Sequence, residues 1–421
     1  MNATIERERL GERLMRRLDE LAAFSDEPGK ITRLYLSRAH RAAADQLMRW
    51  MEEAGLSARI DAVGNVIGRL EGPAPRAPAL LIGSHVDSVR DAGRYDGPLG
   101  ILAGIAAVEE LQRHRAALPF AIEMIAFGDE EGVRFPTTLI GSRAMAGTLD
   151  PAALDAADGD GVSVAEALRR FGSDPSALAT AAIDPRQALA YVEVHIEQGP
   201  VLERLGMPLG VVTAISGASR FNINVAGSAG HAGTTPMGLR GDALAGAAEM
   251  ILAAERIAAG TPDLVATVGS LEVPNGAANV IPGHVRFSLD IRSPSDAIRL
   301  DAIVRLREAF ASIAERRGLR LDLHRYHSAG AVPCDPVLAE GIGRAIAAVG
   351  HPDAPRLPSG AGHDGMAMAG LCPIAMMFVR CAGGVSHNPA ESILTEDAAL
   401  AVRALVEFIL SFRPADFTAK S

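Results

Sequence analysis

The chain has 421 residues, 48% hydrophobic and 22% charged, which is more than one hydrophobic core usually serves, so two domains are expected. A formal net charge of −10 offers no basic footprint for nucleic acid or for an anionic membrane surface. The three cysteines, Cys334, Cys372 and Cys381, have no paired spacing and read as reduced thiols, so a cytoplasmic protein is expected.

In chain order, the first sixty residues read as two helices. Leu10, Leu14, Leu18 and Leu21 recur at helical spacing, and LSRAHRAAADQLMRWMEEAGL repeats the pattern before a glycine stop. The charged, helix-patterned start is not a signal peptide, and no apolar run is long enough to span a bilayer. SARIDAVGNVIGRL reads as a hairpin. ALLIGSHVDSV and FAIEMIAFGDEE are apolar runs of strand length on either side of the helix LGILAGIAAVEELQRHRAAL. That order predicts an α/β fold with a mostly parallel central sheet flanked by helices, whose ligands gather beyond the carboxyl ends of the strands. Residues 151–190 carry a weak helical pattern, and YVEVHIEQG is a further strand with a polar end.

A second unit is expected to begin near Ser216. RFNINVAGSAGHAG reads as a strand, GDALAGAAEMILAAERIAAG as a helix, and LVATVGSLEV and HVRFSLDIR as strands. The helix SPSDAIRLDAIVRLREAFASIAERRG and the strand LRLDLHRYHS complete it. This β-α-β-β-α-β order suits a small ferredoxin-like α+β domain over 216–329, inserted between the two parts of a catalytic domain, 1–215 and 330–421. After it come a helix, a buried strand (CPIAMMFVR), a polar loop and a closing helix.

Histidines and carboxylates cluster at the predicted strand ends. In GSHVDSV, residues two apart on a strand share a face, so Asp87 is expected to accept the second ring N–H of His85. Asp96, flanked by glycines just before a helix, can bridge two cations or simply form a turn. Glu130 and Glu131 repel unless a cation or proton separates them, so one can ligate a metal while its neighbour acts as general acid/base. His195 and His387 each stand alone in a polar, Gly-rich segment. Taken together, three histidines and the carboxylates favour a metal centre. The mixed N/O donors point to zinc or manganese rather than magnesium or calcium.

The segments GSHVDSV, AGRYDGPLG, DEEGVRFPTTLIGSRAMAG, EVHIEQGP, GHAGTTPM, NGAANVIPG, FSLDIRS, SGAGHDGM and VSHNPAE span nearly the whole chain. In this order they resemble the hydantoinase/carbamoylase branch of the dinuclear-zinc amidases and peptidases. The resemblance implies a zinc-aminopeptidase-like catalytic domain, an inserted lid and dimerisation domain, a homodimer, and two divalent ions (Zn2+ or Mn2+) per subunit. It implies that His85 and His195 bind one metal and Glu131 and His387 the other, with Asp96 bridging. It also implies Glu130 as general base, with Asp87 as the partner of His85. His231 would polarise the scissile carbonyl, Asn279 and Arg292 would hold a substrate carboxylate, and Gln198 and His363 would be further substrate-side residues. Arg292 ends an apolar strand and needs an anion; either the substrate or Asp290 can supply it.

The reaction so implied is hydrolysis of a ureido C–N bond in a small ureido-carboxylate. DEEGVRF followed by TTLIGSRA leans toward allantoate, which would yield ureidoglycine, ammonia and carbon dioxide. N-carbamoyl-L-amino acids, or the substrate of a β-ureidopropionase, are the alternative. An aminoacylase or dipeptidase is more remote, because peptidase relatives usually carry a carboxylate where this chain has His195.

Overall fold

The computed structural model describes residues 2–417, and the side chains of 8–416. The chain divides into two compact units: Met1–Thr213 with Cys334–Leu357 and Ala361–Ser421, and Ala214–Pro333 with Pro358–Gly360.

In the first unit, helix α1 (Asn2–Ala22) buries Leu10, Leu14, Leu18 and Leu21 along one face. Helix α2 (Arg38–Glu53) starts where the Ser37 hydroxyl accepts the His40 N–H. Strands β1 (Ser57–Ile60) and β2 (Val66–Leu70) pair as an antiparallel hairpin. Then come β3 (Ala79–His85), α3 (Pro98–Arg113) and β4 (Ala121–Phe127). Strand β3 is buried at every position, the pattern of a strand covered on both faces. Helix α3 opens with Gly97 at φ +81° and Pro98 at its first position. A side chain at Gly97 would stand 2.6 Å from the His85 ring, so the turn carrying Asp96 into α3 needs glycine on steric grounds too.

Helices α4 (Ile140–Met145) and α5 (Val164–Phe171) lead through 3₁₀ turns to β5 (Ala188–Ile196). Helix α6 (Val201–Leu205) and strand β6 (Leu209–Ile215) follow.

The second unit holds β7 (Gly217–Ala226), β8 (Gly230–His231), α7 (Ala243–Ala259), β9 (Val265–Thr267), β10 (Leu271–Glu272), β11 (Val280–Ile281), β12 (His284–Ser293), α8 (Asp296–Arg316) and β13 (Arg320–Ala329). Its main sheet runs β10-β12-β7-β13 with β9 also on β12, each of these pairs antiparallel. Alternate residues Phe221, Ile223, Val225, Val285, Phe287, Leu289 and Ile291 point into a separate core with Met250, Leu306 and Phe310 of α7 and α8. LVATVGSLEV is two short strands, β9 and β10, because the intervening residues leave the ladder at Gly269, whose N–H is taken by the Ser288 hydroxyl.

After β13 come β14 (Val332–Pro333), α9 (Pro336–Ala348), β15 (Arg356–Ser359), α10 (Gly365–Met368), β16 (Ile374–Val379) and α11 (Thr395–Ser411). The large sheet has the order β1-β2-β4-β3-β5-β16-β6-β14, with β15 also on β6. Only its centre, β4-β3-β5-β16, is parallel; β2 runs antiparallel to β4, and β6 antiparallel to β16. The expectation of a mostly parallel sheet is therefore corrected to a mixed one. Residues 71–78 carry the chain from β2 past β4 to β3 without a helix, so β2 runs opposite to both of them. On this sheet α1, α3 and α11 pack against one another, and α2 lies on the β1–β2 hairpin. The three cysteines are buried, and none among the described residues is in a disulfide. No helix among the described residues is long and apolar enough to cross a membrane.

Candidate metal centre

The parallel centre of the sheet delivers the first donors. His85 is the last residue of β3 and His195 the penultimate residue of β5; both are about 1% exposed. Each ring faces a backbone carbonyl through Nδ1, His85 toward Asp87 O and His195 toward Ile196 O, both at 3.0 Å. A carbonyl only accepts, so each Nδ1 carries the proton and each Nε2 keeps a lone pair. Those two Nε2 atoms lie 3.4 Å apart, with Asp96 Oδ1 at 3.6 Å from His85 and 3.2 Å from His195. Buried lone pairs facing each other beside a carboxylate need a cation or a proton between them. The donor set fits a nitrogen- and oxygen-liking divalent metal ion.

Asp96 presents its other oxygen elsewhere. Oδ2 is 3.2 Å from His387 Nε2, which is 3.6 Å from Glu131 Oε2. The side chains thus form overlapping groups of donors, His85–Asp96–His195 and Asp96–Glu131–His387, joined by the one carboxylate they share, with His85–Glu130–Glu131 a third overlapping group. Glu130 and Glu131 follow β4 in a loop whose backbone N–H groups both donate, at 3.2 Å, to the Asp87 carboxylate.

The electrostatics follow from this crowding. Burial alone would raise Asp96, but His195, His387 and His85 outweigh it and hold its carboxyl well below the usual range. Burial pushes Glu130 well above that range; Glu131, Asp364 and Asp87 add to the effect and His85 opposes it. Glu131 is raised to about 7 by burial and by Asp96. His387 is raised to about 9, chiefly by its contact with Asp96. Without metal, protons would occupy the positions that the donor geometry offers to cations.

One expectation is corrected. The second ring nitrogen of His85 is met by the backbone carbonyl of Asp87, and Asp87 Oδ1 is 3.9 Å away. Strand β3 ends at His85, so the two-residue alternation does not extend to Asp87. The carboxylate instead fixes the backbone of Glu130 and Glu131, so Asp87 still acts on the centre, from the other side.

Gln198, at φ +55°, donates through Nε2 to Asp96 Oδ2 at 2.9 Å and to Ser386 Oγ at 3.0 Å. His363 is buried with its ring edge-on to His195, centroids 4.5 Å apart, and burial together with His195 holds it well below the usual histidine range.

The remaining expected residues lie in the second unit. His231 Nδ1 accepts the Gly233 N–H at 3.1 Å, which leaves the ring proton on Nε2 as a donor. His231 pairs with Val280 across β8 and β11, and the Asn279 carbonyl accepts the Ala232 N–H at 2.9 Å. His231 and Asn279 are thereby held on one small ribbon, braced by Arg240, whose guanidinium donates to the carbonyls of Thr235 and Ala232. Arg292 forms the internal pair: Nε and Nη2 donate to Asp290 at 3.0 and 2.9 Å. Arg220 on the neighbouring strand also donates to Asp290, so two guanidinium groups share one carboxylate.

Two further residues were not singled out from the sequence. Glu193, fully buried, shares the β5 face with His195 and accepts from Ser84, Tyr191 and the Gly365 N–H. A carboxylate two residues from a histidine in an otherwise apolar strand was the signal available. Arg33 is buried beneath the β3 end, where Nε donates to Val86 O at 2.7 Å and Nη1 to Leu21 O at 2.7 Å. Nothing in KITRLYL marks that arginine as different from a surface one.

Against known proteins, the pattern of peptidase family M20/M25/M40 matches residues 81–411. An N-carbamoyl-L-amino acid amidohydrolase from Geobacillus stearothermophilus is 46% identical, over 94% of this chain and 97% of its own length. An allantoate deiminase from Arabidopsis thaliana is 42% identical, over 94% of this chain and 81% of its own. Among solved structures, a hydantoinase/carbamoylase family amidase from Burkholderia multivorans superposes with a TM-score of 0.90 at 35% identity, over 95% of this chain and 97% of that one.

Proposed function

The chain belongs to peptidase family M20/M25/M40 and, within it, to the hydantoinase/carbamoylase amidases; from that premise we propose that its centre hydrolyses the ureido C–N bond of a small carboxylate, with allantoate as the substrate. The observation that carries the reading is the shared carboxylate: Asp96 turns Oδ1 to the paired lone pairs of His85 and His195 and Oδ2 to His387. His85, Asp96 and His195 would hold one divalent ion, Zn2+ or Mn2+, and Asp96, Glu131 and His387 a second. When bound, such ions supply Lewis acidity that brings the pKa of a water from 15.7 toward ~7 and polarises a carbonyl.

The chain's own residues do the rest. Glu130 takes the proton of the attacking water and hands it to the departing nitrogen. Asp87 holds the backbone that carries Glu130. His231, with its proton on Nε2, donates to the carbonyl oxygen as charge builds there, a contribution of roughly 3 kcal/mol for a single such donor. Asn279 and Arg292 orient the substrate carboxylate; Arg220 and Arg292 share one aspartate, which leaves positive charge over for an anion. Gln198 and His363 complete the substrate-side set.

A second reading, N-carbamoyl-L-amino acids as substrates, is favoured by the 46% identity to the Geobacillus enzyme of that name, and allantoate by the run from Asp129 to Ala144. The protein is further taken to be a homodimer through its second unit, where Leu300 and Val304, one turn apart on α8, are both about half exposed.

Ammonia release is the test, with the zinc- or manganese-loaded protein offered allantoate, N-carbamoyl-L-amino acids and dipeptides separately. Ammonia from allantoate alone supports the first reading, and ammonia from carbamoyl amino acids alone moves the assignment to the second. Cleavage of dipeptides without ammonia from either ureido compound overturns both.

A further inference from the structure

The loop between β3 and α3, which carries Asp96, meets the loop after β16, which carries His387, at one buried side chain. We propose that Glu391 is the positioning residue that holds Asp96 in its shared orientation, an inference that rests on the metal-centre reading above. Glu391 Oε1 accepts the backbone N–H groups of Tyr95 at 2.8 Å and Asp96 at 3.2 Å. Its Oε2 is 3.1 Å from the Ser386 hydroxyl, and that same oxygen is 3.0 Å from Asp96 Oδ2. The Ser386 hydroxyl, with one proton to give, thus lies between the two carboxylates, while Glu391 grips the backbone of the residue it positions. The link joins segments 295 residues apart in sequence.

Glycine spacing makes the grip necessary. Asp96 stands three residues after Gly93 and one before Gly97, in a stretch with little stiffness of its own. At Gly93 a Cβ would lie 2.3–2.4 Å from the Glu391 side chain, so the loop is moulded around that carboxylate. On the other side, the Glu391 N–H donates to Asn388 O and the Ala390 N–H to Asn388 Oδ1, which ties Glu391 into the turn that follows His387. The bridging carboxylate and the exposed histidine are thus set relative to one another through Glu391. Residues that support metal ligands in this way typically change metal affinity by roughly 10–100-fold when removed.

The experiment uses the full chain stripped of metal and titrated with Co2+, read by visible absorption and calorimetry, with near-UV circular dichroism checking the fold. Wild type is expected to take up two equivalents. Glu391→Ala should weaken cobalt binding by roughly 10–100-fold and alter the absorption band. Glu391→Gln, whose amide oxygen still accepts from Tyr95 and Asp96 and whose amide nitrogen can donate to Ser386, should restore most of the affinity. Gly93→Ala removes no polar group but displaces the carboxylate, so it should weaken binding as Glu391→Ala does; it decides the matter together with Glu391→Gln if the alanine variant does not fold. Wild-type affinity and spectrum in Glu391→Ala and Gly93→Ala, or equal losses in the Gln and Ala variants, would overturn the inference. A wild-type protein that binds fewer than two equivalents would instead remove the metal-centre reading, and this inference with it.

Discussion

One half of the centre is built into a sheet and the other hangs on loops. His85 and His195 lie on neighbouring parallel strands, almost wholly buried, each with its ring oriented by a backbone carbonyl. His387 sits at φ +55° in the loop after β16, and its side chain is 51% exposed. Strand ladders fix the first pair, because moving either ring means breaking a buried sheet. The loop histidine owes its place to local polar contacts, which water can replace. A buried, pre-oriented donor pair should hold its ion tightly; an exposed single donor should exchange readily.

The largest effect should come from the residue common to both halves. Asp96→Ala is expected to abolish uptake of both ions and to reduce hydrolysis by several orders of magnitude. Uptake of even one tight equivalent, measured by metal analysis after gel filtration, would mean the carboxylate is not shared. Next, Glu130→Gln should lower kcat by roughly 10²–10⁴-fold while both ions stay bound. Near-normal turnover with full metal content would remove Glu130 from its role as base.

The two halves then separate directly. His195→Ala leaves a buried hole and an unmet Ile196 carbonyl, so the metal-free protein should lose about 2–4 kcal/mol of stability. His387→Ala should change metal-free stability by about 0.5 kcal/mol or less and cost only the more weakly held ion. Urea unfolding of the two apo variants reads this contrast. Equal losses would show that exposure does not distinguish the halves.

The last contrast is read against pH and concerns the scaffold below Glu130 and Glu131. His40 and Tyr35 pack under Gly128, and burial, helped by Arg33, Arg134 and Arg41, pushes the His40 pKa down to about 3. Its Nδ1 accepts the Leu36 N–H at 2.8 Å, so the folded protein keeps this ring neutral. The unfolded chain protonates it near pH 6.5 while the folded one does not. The contribution of this ring to stability is therefore fully present above about 6.5 and falls by about 1.4 kcal/mol per pH unit as pH drops toward 3. Replacing His40 with Asn should flatten that slope in apo-protein unfolding curves; an unchanged slope would place the titrating group elsewhere.

Much of the local structure was legible from pattern alone. The four leucines of α1 recur at the helical period, and the apolar runs of β3 and β4 are of strand length on either side of a longer helical segment. His85 and the Glu130-Glu131 pair could be placed at strand ends because those runs stop there. The Arg292–Asp290 pairing was legible as one of two outcomes, since residues two apart on a strand share a face. Strand β15 has four residues and β6 is buried at all but one position, so neither carries an alternation that marks it as a strand.

What the sequence determined by itself is therefore local: which residues are apolar at what period, where each run ends, and which donors stand at those ends. The tertiary structure decided what each donor meets. It gave the ring N–H of His85 to a backbone carbonyl and turned the edges of the sheet antiparallel. It also brought Glu391 to the backbone of Asp96. Each of these depends on atoms far apart along the chain or on where a strand stops, and sequence periodicity carries no information about either.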